Sequence, residues 1–571
     1  MGNVSSNHHY PIIRKRSAVF SRINLPCTSG SSLDSTSEHS QENYSLVNEK
    51  ARYRDREEQP HPPPTSVVAY APTTDNISDD ATIAYKDFLN TFPEYRLTWI
   101  LDTLRRSDYA RLETTGETYV DYMGGALYPE SLIRVHTEFL NRSVLGNTHS
   151  VSNSSKLSLK CADEARTAVL SFFRASPDEY TVVFTPNATG ALKLVGEAYP
   201  FTGGSSYVLA ADSHNSVHGI REYATYRGSR VCYIPSGSTG GFDPSTAKNI
   251  LLRNRPRSKD LAPSLFGLTA QSNISNTKNS LSIIEYAASL GYHTLLDAAA
   301  LASTSSISLS DYPVDAMAVS FYKMFGFPTG VGALVVKKLF LMQLKRPWFA
   351  GGNVDVVQVP GNIVTRSHEL HEQFEDGTIN YLTLPAVTDG LRFLSAYLPF
   401  LPLRLSCLIH YLISSLSQLR HDTTRAPVVR ILSATPSRRL KSVGDQSDTG
   451  SVISLVFLSP SGEMVPNSFI EHSASKVGVS LRTGCMCNPG GAAAILGIED
   501  DMRRLYAGVT LKDFERAVGR ELGVVRISLG LASNFQDAWT VVRYAGLMAS
   551  EKTRTVLWDH WMEASGIGQA L

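Results

Sequence analysis

The stretch Ser320-Phe-Tyr-Lys323-Met-Phe-Gly-Phe-Pro-Thr-Gly-Val-Gly332 decides the fold that this sequence predicts. It places a lysine directly after the apolar run 316–320 and just before a series of glycines. Upstream, the apolar run Leu295-Leu-Asp297 ends in an acid. In an open α/β sheet, ligands bind at the carboxyl ends of the strands. The pattern therefore predicts that Lys323 and Asp297 face one ligand.

Around these two runs, strand-like and helix-like stretches alternate along the chain. Short apolar or β-branched runs predict strands, and longer runs with helical spacing predict helices between them. This alternation is typical of a mostly parallel sheet with crossover helices, which makes the fold class α/β. The predicted strands are 180–184, 206–210, 294–296 and 316–320, and the predicted helices are 188–198, 217–226 and 281–290.

Composition excludes several classes of protein. The chain has 571 residues with 42% hydrophobic residues, which excludes a wholly disordered chain, and its net charge of +1 offers no argument for nucleic-acid binding. Six cysteines are too few for a disulfide scaffold and indicate a reducing compartment, so we expect a cytoplasmic protein. The apolar stretch Phe393–Leu416 contains Pro399 and Arg404, which favours a broken core helix over a membrane span.

The composition also changes along the chain. Residues 1–82 lack helix or strand periodicity and are predicted to be a disordered tail. Residues 83–400 are predicted to form a large α/β domain, whose N-terminal segment contributes to a small α+β domain at 401–548, and residues 549–571 a C-terminal tail. Gly2 fits a myristoylation pattern, and the basic, acid-poor start also fits a mitochondrial transit peptide. A plain solvated tail is the third alternative, and membrane association is expected only if Gly2 is acylated.

The strand-end lysine has a specific chemistry. Burial penalises an ammonium group, so it lowers the pKa of a lysine and makes a nucleophilic amine available for a Schiff base. Pyridoxal phosphate uses such a lysine together with an acid for its ring nitrogen. The loop into the helix at Ala188 suits the phosphate, because free N–H groups and the helix dipole favour an anion. The imidazole of His214, after another strand, could stack on the ring.

Taken together, these motifs resemble those of the cysteine desulfurases, and more closely the N-terminal desulfurase domain of eukaryotic molybdenum cofactor sulfurases. The resemblance covers about residues 85–545, and its most diagnostic element is Gly484-Cys-Met-Cys-Asn-Pro-Gly490. It implies a fold-type I, pyridoxal-phosphate-dependent transferase of the class V aminotransferase family, with a mostly parallel large domain and a smaller α+β domain. The other matching stretches include Gln271-Ser-Asn273, Phe374-Glu-Asp-Gly-Thr378 and Val525-Arg-Ile-Ser-Leu-Gly530.

The resemblance also implies a role for each matching residue. Lys323 would carry the cofactor covalently, Asp297 would pair with its ring nitrogen, and His214 would stack on the ring and move protons. The remaining roles are phosphate binding by Ala188, Thr189 and Ser320, phosphate binding from a partner subunit by Thr378, contact with the ring oxygen and substrate by Asn273, and binding of the substrate carboxylate by Arg526. One departure concerns Ala300, where the simpler desulfurases carry a glutamine that bonds the ring oxygen.

Two cysteines lie on the glycine-rich loop. By the resemblance, Cys487 occupies the position of the nucleophile, and Cys485 could resolve or shuttle sulfur. Residues two apart on an extended loop point the same way, so spacing alone leaves both thiols open as the carrier. A metal site is not expected, because no further cysteine or histidine lies close in the sequence.

The expected activity is removal of sulfur from L-cysteine as a protein persulfide, with release of L-alanine. We expect a homodimer, and a sulfur acceptor that is either molybdenum cofactor or a separate acceptor protein. The chain is also expected to lack the C-terminal molybdopterin-binding domain of the family. The alternatives are a pyridoxal-phosphate lyase or transferase of specialised metabolism, and an inactive binding protein.

Overall fold

The computed structural model of the chain describes residues 74–257 and 262–565. The predictions made for residues 1–73, which include the acylation and transit signals, lie outside the described residues. The strands are β1 Thr118–Tyr119, β2 Tyr180–Thr185, β3 Ser206–Ala210, β4 Arg230–Ile234, β5 Leu265–Thr269, β6 His293–Asp297, β7 Ala316–Ser320, β8 Gly332–Lys337, β9 Val354–Val357, β10 Val364–Arg366, β11 Val429–Ile431, β12 Val452–Phe457, β13 Val479–Ser480, β14 Arg482–Gly484 and β15 Val524–Ser528.

Helices connect these strands and cover the sheets. Two 3-10 turns, Pro93–Thr98 and Glu372–Phe374, accompany them. The helices are α1 Thr74–Thr91, α2 Trp99–Asp108, α3 Arg111–Thr115, α4 Glu130–Arg142, α5 Asn153–Phe172, α6 Ala188–Ala198, α7 Asn215–His218, α8 Ile220–Tyr226, α9 Pro244–Arg253, α10 Ser282–Ser289, α11 Phe321–Phe325, α12 Lys338–Leu341, α13 Leu384–Tyr397, α14 Leu401–Gln418, α15 Asn467–Lys476, α16 Pro489–Leu496, α17 Glu499–Arg503, α18 Leu511–Val518, α19 Phe535–Ala549 and α20 Glu551–Ser565.

The central element is a seven-stranded sheet in the order β2-β8-β7-β6-β5-β3-β4. Its strands are parallel except for β8, which runs antiparallel to both of its neighbours. Strands β3, β5 and β7 are buried along their whole length, as expected for strands covered by helices on both faces. The predicted α/β class with a mostly parallel sheet is therefore confirmed.

A second, four-stranded sheet contains β11, β12, β15 and β14 in that order, all antiparallel. The N-terminal segment joins this part of the chain, because β1 pairs with β13 and Arg105 forms a buried ion pair with Asp537 at 2.8 Å. These contacts agree with the prediction that the N-terminal segment contributes to the small domain, because they join residues 105–119 to residues 479–537. The exact division at residue 400 stays a prediction.

Both predicted tails are shorter than expected. Helix α1 begins at Thr74 rather than near residue 83, and Ala84 and Ala81 pack on the core one and two turns before Phe88. The segment predicted as a C-terminal tail contains α20, whose Trp561 is buried against Phe469.

The predicted broken core helix is confirmed as α13 and α14, which meet at 66°. Within residues 74–257 and 262–565, no single helix is long and apolar enough to cross a membrane, although this bent pair passes the same test of length and composition. Arg404 of α14 is fully buried and donates two 2.6 Å hydrogen bonds to Asp102. Burial of a charge requires such a partner.

Candidate active site

The carboxyl ends of five strands meet around one cavity of about 120 Å³. The segments after β2, β3, β5, β6 and β7 all contribute, as the strand-end pattern predicted. The cavity is lined by Asn187, Ala188, Thr189, Leu192, His214, Ser216, Thr269, Gln271, Asn273, Asp297, Ala299, Ala300, Ser320, Tyr322 and Lys323. Seven predicted site residues are therefore brought together: Lys323, Asp297, His214, Ala188, Thr189, Ser320 and Asn273.

Lys323 lies in the short helix α11, directly after the buried strand β7. Burial lowers the pKa of Lys323, and the nearby Asp297 opposes this effect by favouring the ammonium form. The guanidinium groups of Arg526 and Arg482 lower the pKa further. The amine is therefore easier to deprotonate than that of an exposed lysine, which a covalent cofactor link requires.

Asp297 is the last residue of β6 and is 7% exposed. Its Oδ1 accepts a 3.1 Å hydrogen bond from the Ala299 N–H, which holds the carboxylate at the strand end. The neighbouring strand β5 is in register with it, because Thr269 is the direct partner of Asp297 in the ladder. The acid and the loop that follows β5 therefore face the same cavity.

His214 is the N-terminal capping residue of α7. Its Nδ1 accepts a 3.1 Å hydrogen bond from the Ser216 N–H, so in the neutral ring the proton lies on Nε2. Burial lowers the pKa of His214, Asp297 opposes this effect, and Lys323 and Arg482 add to the lowering. The ring is thus held in one orientation and favours the neutral form.

The start of helix α6 carries a cluster of hydroxyl groups. The Ala188 N–H donates to Ser320 Oγ at 2.8 Å, and the hydroxyls of Thr189 and Ser216 lie 2.7 Å apart. The eleven-residue helix directs its positive end at this cluster. Hydroxyl groups and a helix N-terminus together suit a phosphate group.

The cysteine loop lies between β14 and α16. Cys487 is exposed and adopts a φ of +54°, and its carbonyl accepts a 2.7 Å hydrogen bond from the Asn215 N–H. This bond ties the loop to the residue next to His214. A thiolate at Cys487 would favour the ammonium form of Lys323. Burial raises the pKa of Tyr322, Arg482 lowers it, and a thiolate at Cys487 would raise it further.

Cys485 has a different environment from Cys487. It packs into a small apolar cluster that includes Ile274 and Val524. Burial raises the pKa of Cys485, and the charges of Glu515 and Cys487 raise it further. The thiolate is the reactive form of cysteine, so this environment disfavours Cys485 as a nucleophile.

A buried carboxylate, that of Asp212, is hydrogen-bonded to the cysteine loop. Asp212 is fully buried, and its two oxygens accept hydrogen bonds of 2.6–2.7 Å from four donors: Ser272 Oγ, Asn488 Nδ2, Ser275 Oγ and Gly241 N–H. A Cβ atom on Gly491 would lie 2.4 Å from Asp212 Oδ1, so only glycine permits α16 to approach this closely. Asp212 thus links the loop after β3 to the loop that carries the thiols.

Besides the two loop cysteines, two other predicted site residues, Arg526 and Thr378, lie outside the cavity lining. Arg526 is 1% exposed and forms an ion pair with Asp121 at 2.5 Å, while its Nη1 donates to the Asn273 carbonyl at 3.1 Å. Its Nε has no protein partner among the described residues. Thr378 is exposed, accepts a 3.2 Å hydrogen bond from Asn147, and lines a separate cavity.

Pyridoxal phosphate fits this set of residues. The cavity contains an amine with a lowered pKa, a buried acid, an oriented imidazole and a hydroxyl cluster at a helix N-terminus. In addition, Gln271 lines the cavity, and both of its side-chain amide atoms are buried without a protein partner among the described residues. A planar ligand with a phosphate and a ring nitrogen would meet complementary groups on every side.

A family model describes the same part of the chain. The model of the class-V aminotransferases matches residues 118–538, which include every residue of the cavity. The chain belongs to the class-V aminotransferase family. The family uses pyridoxal phosphate, in agreement with the groups that line the cavity. The resemblance to this family is therefore confirmed.

The chain is similar to molybdenum cofactor sulfurases. It is 32% identical to that of Arabidopsis thaliana over 471 residues, which are 77% of this chain and 57% of the plant protein. It is 35% identical to that of Bos taurus over 468 residues, which are 78% of this chain and 51% of the bovine protein. The chain spans about half the length of these relatives.

Solved cysteine desulfurases share the fold of this class-V aminotransferase. The apo structure from Thermococcus onnurineus NA1 has a TM-score of 0.61 and 19% sequence identity, and it covers 78% of this chain and 98% of its own. A cysteine desulfurase from Escherichia coli has a TM-score of 0.60 and the same identity and coverage. The predicted fold-type I architecture is confirmed.

Several residues of the site were not predicted from the sequence. Asp121, Asp212 and Gln271 are the main ones, and Ser216 and Tyr322 also line the cavity or contact its residues. Gln271 and Asp212 follow strands, which is a signal that could have found them. Asp121 also follows a strand, β1, but its partner Arg526 lies 405 residues away in the sequence, so no local pattern links the two.

Proposed function

We propose that this class-V aminotransferase is a cysteine desulfurase. In the net reaction, the Cβ–Sγ bond of L-cysteine breaks, a new S–S bond forms on a protein thiol, and L-alanine leaves. One cysteine and one thiol thus give one alanine and one persulfide, with no external oxidant or reductant. The similarity to molybdenum cofactor sulfurases supports this proposal and suggests molybdenum cofactor, or a protein that supplies it, as the sulfur acceptor.

The observation that carries the proposal is the position of the Cys487 thiol. It is exposed, and the carbonyl of its residue accepts a hydrogen bond from Asn215, the residue after His214. A thiolate at this position would favour the ammonium form of Lys323. Cys485 is packed in an apolar cluster and has a raised pKa. We therefore assign the persulfide to Cys487. Cys485 packs the loop against its apolar cluster and does not carry the sulfur.

Each side chain then has a defined task. When bound, pyridoxal phosphate supplies the electron sink that weakens bonds around the α-carbon of the substrate. Lys323 holds the cofactor, and its Nζ accepts and returns protons because the lowered pKa favours the neutral amine. Asp297 favours a protonated ring nitrogen, and His214 Nε2 offers a proton donor beside the ring. Arg526 contributes its unpartnered Nε to the substrate carboxylate.

We also propose a homodimer as the active assembly. Thr378 is exposed and lines a cavity of about 410 Å³ beside Gly190, distinct from the one at Lys323. This position supports a role for Thr378 at a neighbouring subunit's phosphate site. Sedimentation analysis of the full-length protein tests the assembly, and a monomer that retains full activity would contradict it.

The decisive experiment measures both products from L-cysteine. Purified protein with pyridoxal phosphate should release alanine, and mass spectrometry should find an added sulfur of about 32 Da on the peptide that contains Cys487. The Cys487→Ser variant should release almost no alanine while it still binds the cofactor. Continued turnover by the double variant lacking both loop thiols would exclude the desulfurase and favour a lyase on the same scaffold.

A further inference from the structure

Gln271 is a buried amide without a partner. The residue is 1% exposed, and neither its Oε1 nor its Nε2 has a hydrogen-bond partner among the described residues. Buried amides are almost always hydrogen-bonded, because an unmade bond leaves the full cost of desolvation. Gln271 lines the same cavity as Lys323 and Asp297. Its missing partner therefore belongs to whatever fills that cavity.

The other polar groups of pyridoxal phosphate have partners already assigned. Asp297 suits the ring nitrogen, Lys323 the carbonyl carbon, and the hydroxyl cluster at helix α6 the phosphate. The hydroxyl oxygen on the ring is the one polar atom of the cofactor that is left over. The geometry points to Gln271 as the hydrogen-bond donor to this ring oxygen.

Two neighbouring residues, Asn273 and Ala300, are less suited than Gln271 to donate a hydrogen bond to the ring oxygen. Asn273 donates one hydrogen bond from Nδ2 to the Met486 carbonyl at 2.7 Å, and its Oδ1 accepts from Asn488 at 3.4 Å. Its amide therefore supports the cysteine loop. Ala300 lies just beyond Asp297 at the adjacent strand end and lines the cavity with a methyl group only.

The position of Gln271 follows from the sheet. Thr269 and Asp297 are direct partners in the β5–β6 ladder, so residues shortly after each strand leave the sheet side by side. Residues 271 and 300 therefore reach the cavity from neighbouring strand ends. The amide lies against Gly450, where a Cβ atom would be 2.4 Å from Gln271 Nε2. A residue larger than glycine at 450 would push the amide out of place.

The inference rests on pyridoxal phosphate as the cofactor and is independent of cysteine as the substrate. It is tested by titrating pyridoxal phosphate into full-length protein stripped of cofactor, with tryptophan fluorescence and absorbance as readouts. Gln271→Leu should weaken cofactor affinity about tenfold and shift the absorbance maximum of the bound cofactor, because one hydrogen bond to the ring is lost. Gly450→Ala, which keeps the glutamine but displaces it, should change both readouts in the same direction.

The matched control is Thr388→Val. Thr388 also has a buried hydroxyl without a partner among the described residues, but it lies on α13 outside the Lys323 cavity. This variant should leave cofactor affinity and spectrum unchanged. Unchanged affinity and spectrum in Gln271→Leu would overturn the inference. Failure of the wild-type protein to bind pyridoxal phosphate would overturn the cofactor assignment as well, whereas binding without alanine release would overturn only the desulfurase proposal.

Discussion

Arg526 Nη2 lies 2.5 Å from Asp121 Oδ1, and this ion pair joins strand β15 to the segment after β1. Arg526 is 1% exposed, so its charge depends on this partner. Burial lowers the pKa of Arg526, and Asp121 opposes this effect. The guanidinium predicted to bind the substrate carboxylate is thus already oriented by an acid before any substrate arrives.

The first prediction concerns this guanidinium. Arg526→Lys should raise KM for cysteine about tenfold or more and leave cofactor affinity unchanged, because an ammonium lacks the planar fork with which a guanidinium pairs with Asp121 through Nη2 and offers Nε to a carboxylate. Steady-state kinetics and cofactor titration check this. The comparison variant is Arg482→Lys, since Arg482 is exposed and lies directly opposite Arg526 in the sheet. A larger rise in KM for Arg482→Lys would move the carboxylate site to Arg482.

The second prediction concerns the covalent link to the cofactor. Reduction with borohydride should attach pyridoxal phosphate permanently to the wild-type protein and should not do so in Lys323→Ala. Intact-protein mass spectrometry measures the attachment. Lys278→Met is the control, because burial also lowers the pKa of Lys278, to about 8, although this lysine lies outside the cavity. Attachment in Lys323→Ala, or its loss in Lys278→Met, would contradict the role of Lys323.

The third prediction separates the two loop thiols without measuring activity. Iodoacetamide at pH 7.5 should alkylate Cys487 at least about tenfold faster than Cys485, because burial raises the pKa of Cys485 and restricts access to it. Peptide mass spectrometry at a series of times gives both rates in one sample. Equal rates, or faster reaction of Cys485, would remove the structural reason to assign the persulfide to Cys487.

The sequence predicted those strands, helices and site residues that a local pattern of residues marks. The strand predicted at 180–184 is observed as Tyr180–Thr185, and the helix predicted at 188–198 is observed with the same ends. Seven predicted residues line one cavity because each lies at or just after the carboxyl end of a strand of the same sheet, and parallel strands bring these ends together. Local patterns at the ends of single strands thus predicted a site whose residues lie far apart in the sequence.

What could not be predicted is the choice of partner for each buried polar group. Asp121 and Arg526 are 405 residues apart, and Asp212 and Asn488 are 276 apart. Such pairs depend on how the N-terminal segment and the cysteine loop pack, and local sequence periodicity cannot predict that packing. The start of α1 and the whole of α20 were assigned to tails for a related reason. Both helices pack through aromatic contacts with distant helices, such as Phe88 with Phe535 and Trp561 with Phe469.

The fourth prediction concerns stability in acid. Burial, together with the charge of Arg166, lowers the pKa of His371 to about 4, whereas an unfolded histidine titrates near 6.5. Between these values the unfolded chain binds a proton that the folded chain does not. The free energy of unfolding should therefore rise with pH in this window, and fall on acidification, by up to about 1.4 kcal/mol per pH unit.

Urea denaturation between pH 4.5 and 7.5 measures this dependence. His371→Gln should flatten the slope below pH 6.5, because the titrating group is removed. His368→Gln is the matched control, since the His368 side chain is 94% exposed and only three residues away. The same change of slope in both variants would show that His371 is not the source of the acid sensitivity.

The last prediction concerns the anchor beneath the cysteine loop. Asn488 Nδ2 donates to Asp212 Oδ1 at 2.6 Å, and it is the donor by which the loop reaches this carboxylate. Asn488→Ala should release the loop, so kcat for alanine release should fall at least about tenfold while cofactor affinity stays unchanged, because Asn488 does not line the cavity. Ser275→Ala removes another of the four donors to Asp212, on its Oδ2. Both variants should therefore cost similar stability, about 1 kcal/mol, and only Asn488→Ala should slow the reaction. Equal loss of kcat in the two variants would mean that Asp212 supports the fold as a whole and does not position the thiol.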